Sequence, residues 1–114
     1  IDPDAFERDE LAKLGMPPEL PMRHRTPQFQ HIFSSDSYSA GYYSYLWSEV
    51  IALDAAEAFE EAPGGFYDKA TAKRLHDDIM SVGNSIDPAA GYRRFRGRDP
   101  DVAAYLRDKG FPTA

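Results

Sequence analysis

Residues 29 to 53 read F-Q-H-I-F-S-S-D-S-Y-S-A-G-Y-Y-S-Y-L-W-S-E-V-I-A-L, and the fold turns on them. We read a histidine, His31, on an extended lead-in, followed by a tyrosine-studded helix. Carried as one α-helix over 38–62 and stopped by Pro63-Gly64-Gly65, the segment would span about 37 Å at the helical rise per residue. Tyr38, Tyr42 and Tyr45 then fall on one face, because positions i, i+4 and i+7 align at 3.6 residues per turn. The first half of this helix is apolar almost all round. Leu46, Val50 and Leu53 cover one side, Tyr43 and Trp47 the next, Ile51 and Ala55 the next, with small serines between them. Such a helix is expected to be buried on most sides. The thin apolar stripes elsewhere in the chain are a poor match for wrapping it, so part of its cover is expected to lie outside these residues.

The flanking segments are punctuated by helix signals. Asp2-Pro3 opens a surface helix over 3–14 that Gly15 ends. The segment 16–31, M-P-P-E-L-P-M-R-H-R-T-P-Q-F-Q-H, holds four prolines and reads as an ordered connector, since proline cannot donate a main-chain hydrogen bond and pushes its predecessor into extended conformations. After the long helix come three short ones: 68–82 capped by Asp68, 87–96 opened by Asp87-Pro88, and 100–109 opened by Asp99-Pro100 and stopped at Gly110. With no alternating strand pattern, the chain reads as all-α, five helices around one long central buried helix.

The chain has 114 residues, 42% hydrophobic and 28% charged, with a mean hydropathy of −0.57. These values describe at most one ordinary domain. A net charge of −6 argues against nucleic acid or an anionic membrane surface as partner, because both call for a basic footprint. The absence of cysteine rules out disulfides and thiolate metal sites, and with no apolar run of transmembrane length the pattern suits a cytoplasmic protein. The chain begins at Ile1 without an initiator methionine, as a processed product or a piece of something longer would.

No H-E-x-x-H, no phosphate-binding glycine loop and no G-x-S-x-G occurs in these residues. The candidate functional groups are hydrogen-bond donors: His31 and the phenols of Tyr38, Tyr42 and Tyr45, which on a rigid element could serve an anionic oxygen. The same aromatics at helical spacing equally suit core packing, and periodicity leaves the two readings undecided. Arg23 and Arg25 read as a solvated or ion-paired patch, with a grip on a carboxylate as the alternative. Arg93, Arg94, Arg96 and Arg98 read as charge balance against acidic residues elsewhere.

Taken together, F-Q-H-I-F at 29–33, G-Y-Y-S-Y-L-W-S-E-V at 41–50, R-F-R-G-R-D-P at 94–100 and the terminal K-G-F resemble the C-terminal region of the thimet-oligopeptidase-like zinc metallopeptidases. The H-I-F lead-in, L-G-M-P at 14–17 and M-R-H-R at 22–25 look most like the bacterial peptidyl-dipeptidase branch. The resemblance covers nearly the whole chain. It implies a large helical enzyme that hydrolyses short peptides in a deep channel, with zinc held by an upstream H-E-x-x-H and a further glutamate. No zinc ligand is expected in this chain, which alone would be inactive. By the same resemblance His31 matches a histidine on the loop beside the zinc and Tyr45 the donor to the oxyanion, while Tyr38 and Tyr42 match tyrosines lining the substrate cleft. The implied partners are a peptide substrate and the remainder of the catalytic domain. The family's loop corresponding to S-S-D-S at 34–37 is often glycine-rich, and here it carries no glycine. A stand-alone helical interaction module, or a degenerate non-catalytic paralogue, is the alternative.

Overall fold

The computed structural model describes residues 1–113, and among them there are helices and turns but no strand. The α-helices are α1 (Pro3–Lys13), α2 (Gln30–Phe33), α3 (Ser44–Glu60), α4 (Lys69–Leu75), α5 (Pro88–Arg96) and α6 (Ala103–Asp108). The all-α expectation holds, with six helices in place of five. The chain divides into two compact units, 1–42 and 43–114.

In the first unit, α1 starts where Asp2 Oδ1 accepts from the Asp4 and Ala5 amides at 2.9 and 3.2 Å, satisfying donors that have no partner inside the helix. It ends in a left-handed Gly15, φ +76°, with the Met16 amide bonded back to the Leu11 carbonyl at 3.0 Å. Arg25 returns the connector onto this helix. Its Nε lies 3.2 Å from both carboxylate oxygens of Glu7, and Nη2 bonds Asp4. The connector is not wholly extended: Thr26–Gln28 forms a 3-10 turn around Pro27, and α2 places His31 on a single helical turn.

Tyr38 does not begin the long helix. It closes a 3-10 turn over Asp36–Tyr38, and α3 starts only at Ser44. The reason lies in S-S-D-S-Y-S-A-G. Ser34 and Ser39 return their hydroxyls to the carbonyls of His31 and Asp36, each at 3.0 Å, which offers the backbone an alternative to the α-ladder. The Ser39 and Gly41 amides likewise bond three residues back, to Asp36 and Tyr38. At Gly41 a Cβ would meet the Ser37 carbonyl oxygen at 2.8 Å, so this tightening is built around glycine.

In the second unit, α3 is the spine, and α6 and α4 pack against it. Its buried residues are Asp54 and Ala58, both in the C-terminal half. Around that half lie the buried side chains of Tyr92, Phe95 and Ala104. The N-terminal half is open: Leu46 and Trp47 are 53% and 66% exposed, and Tyr43 at the cap is 69% exposed. Beneath it an apolar cavity of about 660 Å³ is lined by Trp47, Ile51, Ile79, Val82, Ile86 and Tyr92. Among the described residues no helix is long and apolar enough to cross a membrane.

The expected helix over 68–82 is α only to Leu75 and continues as a π-helical turn, His76–Met80, with the Ser81 amide bonded to the His76 carbonyl at 2.8 Å. Against this wider turn sits α5, with Gly91 at the closest approach. A Cβ there would fall 2.6 Å from the Asp78 carbonyl oxygen. Gly91→Ala should therefore force the two segments apart and lower stability by about 1–3 kcal/mol, read as a lowered thermal midpoint. An unchanged midpoint would rule out this packing. The start of the last helix also differs from expectation. Asp101, not Asp99, accepts from the Ala103 amide, at 2.9 Å, because Asp99 is taken by Arg93 at 2.7 Å.

Candidate substrate-side site

The first unit gathers His31, Tyr38 and Tyr42, though not by the expected route. Instead of one helical face, the α2 turn and the 3-10 turn fold back on each other. The His31 ring stands perpendicular to Tyr38 with centroids 4.4 Å apart, and edge-on to Tyr42 at 5.3 Å. Tyr38 and Tyr42 are 6.5 Å apart. These edge-to-face arrangements set the positive ring edge against the negative face of its neighbour and hold the rings at fixed angles.

Two aromatic residues that the sequence did not single out complete the cluster. Phe29 meets Tyr42 edge-to-face with centroids 4.5 Å apart, and His24 stacks on Phe29 at 4.7 Å with the rings 13° from parallel. The 3-10 turn at Thr26–Gln28 lies between His24 and Phe29. The T-P-Q triplet was the available signal, a proline opening a short turn between two rings. Tyr42 and Tyr38 are half-buried and His31 is exposed. Chemically the cluster offers an imidazole and two phenols, groups able to bond a peptide carbonyl or carboxylate while their rings supply an apolar wall.

Tyr45 belongs to the second unit, on the first turn of α3, and is 48% exposed. Three of the arginines named from the sequence are engaged by carboxylates outside this cluster. Arg25 is held by Glu7 and Asp4, and Arg93 by Asp99, while Arg96 grips Glu61 through two bonds of 2.5 and 2.6 Å. The charge-balance reading describes them.

The most buried polar group, Asp54, carried no sequence signal. It is 0% exposed and makes hydrogen bonds to three residues. Arg98 donates to both its oxygens at 2.5 and 3.0 Å, Tyr92 donates its hydroxyl to Oδ2, and Arg96 Nε donates to its backbone carbonyl at 3.1 Å. Burial works against ionisation of Asp54, but the hydrogen bonds from Arg98 and Tyr92 outweigh it and hold the carboxyl below its ordinary value. Burial, then the bond to Asp54, pushes the Tyr92 phenol up, so it remains a neutral donor. Because the folded value of Asp54 lies below the unfolded one, its contribution to stability is complete above the unfolded carboxylate range, about pH 4. It is lost as pH falls through the folded value. Acid unfolding curves should show this loss and Asp54→Asn should flatten it; equal acid sensitivity in the two proteins would contradict the assignment.

The sequence profile of peptidase family M3 matches residues 6–111. This chain belongs to peptidase family M3. Within that family it is similar to oligopeptidase A of Haemophilus influenzae, 48% identical over 82 residues that make up 72% of this chain and 12% of the relative. It is also similar to oligopeptidase A of Escherichia coli, 42% identical over 102 residues, 89% of this chain and 15% of the relative. Dipeptidyl carboxypeptidase of Escherichia coli is 37% identical over 110 residues, 96% of this chain and 16% of the relative. The chain thus spans 12–16% of the length of these M3 relatives. Among the described residues no group of three or more histidines, cysteines or carboxylates is placed to hold a metal ion.

Proposed function

We propose that this chain is the C-terminal segment of the catalytic domain of a zinc metallopeptidase that hydrolyses short peptides, with the metal held by residues outside it. In this reading Tyr38 and Tyr42 line the substrate cleft, while His31 and Tyr45 are the catalytic groups: His31 stands on the loop beside the zinc, and Tyr45 donates a hydrogen bond to the carbonyl oxygen as it gains negative charge. The observation that carries the proposal is the convergence of His31, Tyr38 and Tyr42 in one aromatic cluster within the segment that matches family M3. A fixed donor aimed at developing charge stabilises the transition state more than the ground state, which is the requirement for catalysis. The open N-terminal half of α3 fits the same proposal, as a surface to be covered by the remainder of the catalytic domain.

The test is product analysis by mass spectrometry. The full-length protein is expected to cleave short synthetic peptides, with zinc required. Running each peptide with a free and an amidated C-terminus separates the two modes that the relatives' names suggest. Release of C-terminal dipeptides only from free carboxylates marks the dipeptidyl mode, and cleavage of both marks internal cutting. Failure to hydrolyse any peptide with zinc bound would overturn the proposal.

A further inference from the structure

Asp54 lies nine residues beyond Tyr45 on the same continuous helix, α3. Nine residues are two and a half turns, so the two side chains leave opposite faces, about 13.5 Å apart along the axis. The burial agrees: Asp54 is 0% exposed and Tyr45 is 48% exposed.

What sets the rotation of α3 about its own axis must be sought in its second half, since Leu46 and Trp47 in the first half and the capping Tyr43 are exposed. Three acidic residues of α3 and its C-capping Glu61 reach basic partners: Glu49 to Lys109 at 2.8 Å, Asp54 to Arg98, Glu57 to Arg107 at 2.5 Å, and Glu61 to Arg96 at 2.5 Å. Exposed pairs are screened and weak, which describes Glu49 and Glu61 with side chains 46% and 60% accessible. Asp54 differs. Both its oxygens are engaged by the planar fork of Arg98, a geometry that fixes direction as well as distance. Arg98 is brought there by Gly97, whose left-handed φ of +79° ends α5 and turns the chain back toward α3.

We propose that Asp54 and Arg98 are the positioning pair that sets the rotation of α3 and so aims the Tyr45 phenol. The proposal rests on the donor role given to Tyr45 above. A phenolic oxygen about 8 Å from the helix axis moves about 1 Å for a rotation of about 7°, and misplacement on that scale can remove up to about 10²-fold in rate. Asp54 need touch neither substrate nor metal.

The experiment is a double-mutant cycle in the full-length peptidase, with zinc content and circular dichroism checked for each variant. Asp54→Asn is expected to lower kcat by roughly 10-fold with little change in KM. In a Tyr45→Phe background the same substitution should change kcat less than about 2-fold, because the group being aimed is gone. Arg98→Lys keeps a positive charge facing Asp54 but loses the fork, and should behave alike; it is the variant to read if Asp54→Asn does not fold. If the two losses multiply, or if folded Asp54→Asn keeps full kcat, the positioning role is overturned while the Tyr45 reading stands. If Tyr45→Phe alone leaves kcat unchanged, both fall.

Discussion

Tyr45→Phe in the full-length peptidase should lower kcat by about 10²-fold, roughly 2.7 kcal/mol, with a smaller change in KM. The substitution removes one oxygen and keeps the ring, so packing on the first turn of α3 is preserved. A donor used only when the carbonyl oxygen becomes anionic contributes little to the ground-state complex, which is why the effect belongs in kcat. Steady-state kinetics on one short peptide decide it. A loss confined to KM would recast Tyr45 as an ordinary substrate contact, and unchanged kinetics would remove it from the site.

Asp54→Ala should lower stability by about 3 kcal/mol, through removal of one partner of a buried ion pair. The substitution leaves Arg98 without its carboxylate and the Tyr92 hydroxyl without its acceptor, next to the buried Phe95. Replacing both charged partners, as Asp54→Leu with Arg98→Met, should be milder than the single change, because no uncompensated charge remains. Thermal unfolding of the three proteins makes the comparison. A single mutant as stable as the parent would show that the Asp54 cluster is not what joins α3 to the α5–α6 corner.

What was legible in the sequence followed local rules. Asp2, Asp68 and Asp87 cap helices as their spacing to the first apolar residues predicts, and Gly15, Gly97 and Gly110 stop them with positive φ. These signals act within one turn and need no partner elsewhere. Asp54 was hidden because A-L-D-A-A looks like any solvent-facing acid, while its partners Tyr92 and Arg98 lie 38 and 44 residues away. The start of α3 was misjudged because tyrosines at i, i+4 and i+7 fit a helix, whereas the serine hydroxyls and Gly41 between them favour tighter turns. The rings still meet: His31 reaches Tyr38 and Tyr42 through the fold of two short turns. Side-chain identity pointed to the cluster where periodicity gave the wrong backbone.

Calorimetric zinc titration of the metal-stripped full-length protein, parent and Tyr45→Phe side by side with turnover followed in the same samples, tests the central claim that this segment supplies donors and not metal ligands. The same stoichiometry and affinity are expected in both proteins, with turnover in the variant remaining about 10²-fold lower after saturation. Loss of zinc binding in the variant, or full turnover once zinc is restored, would contradict it.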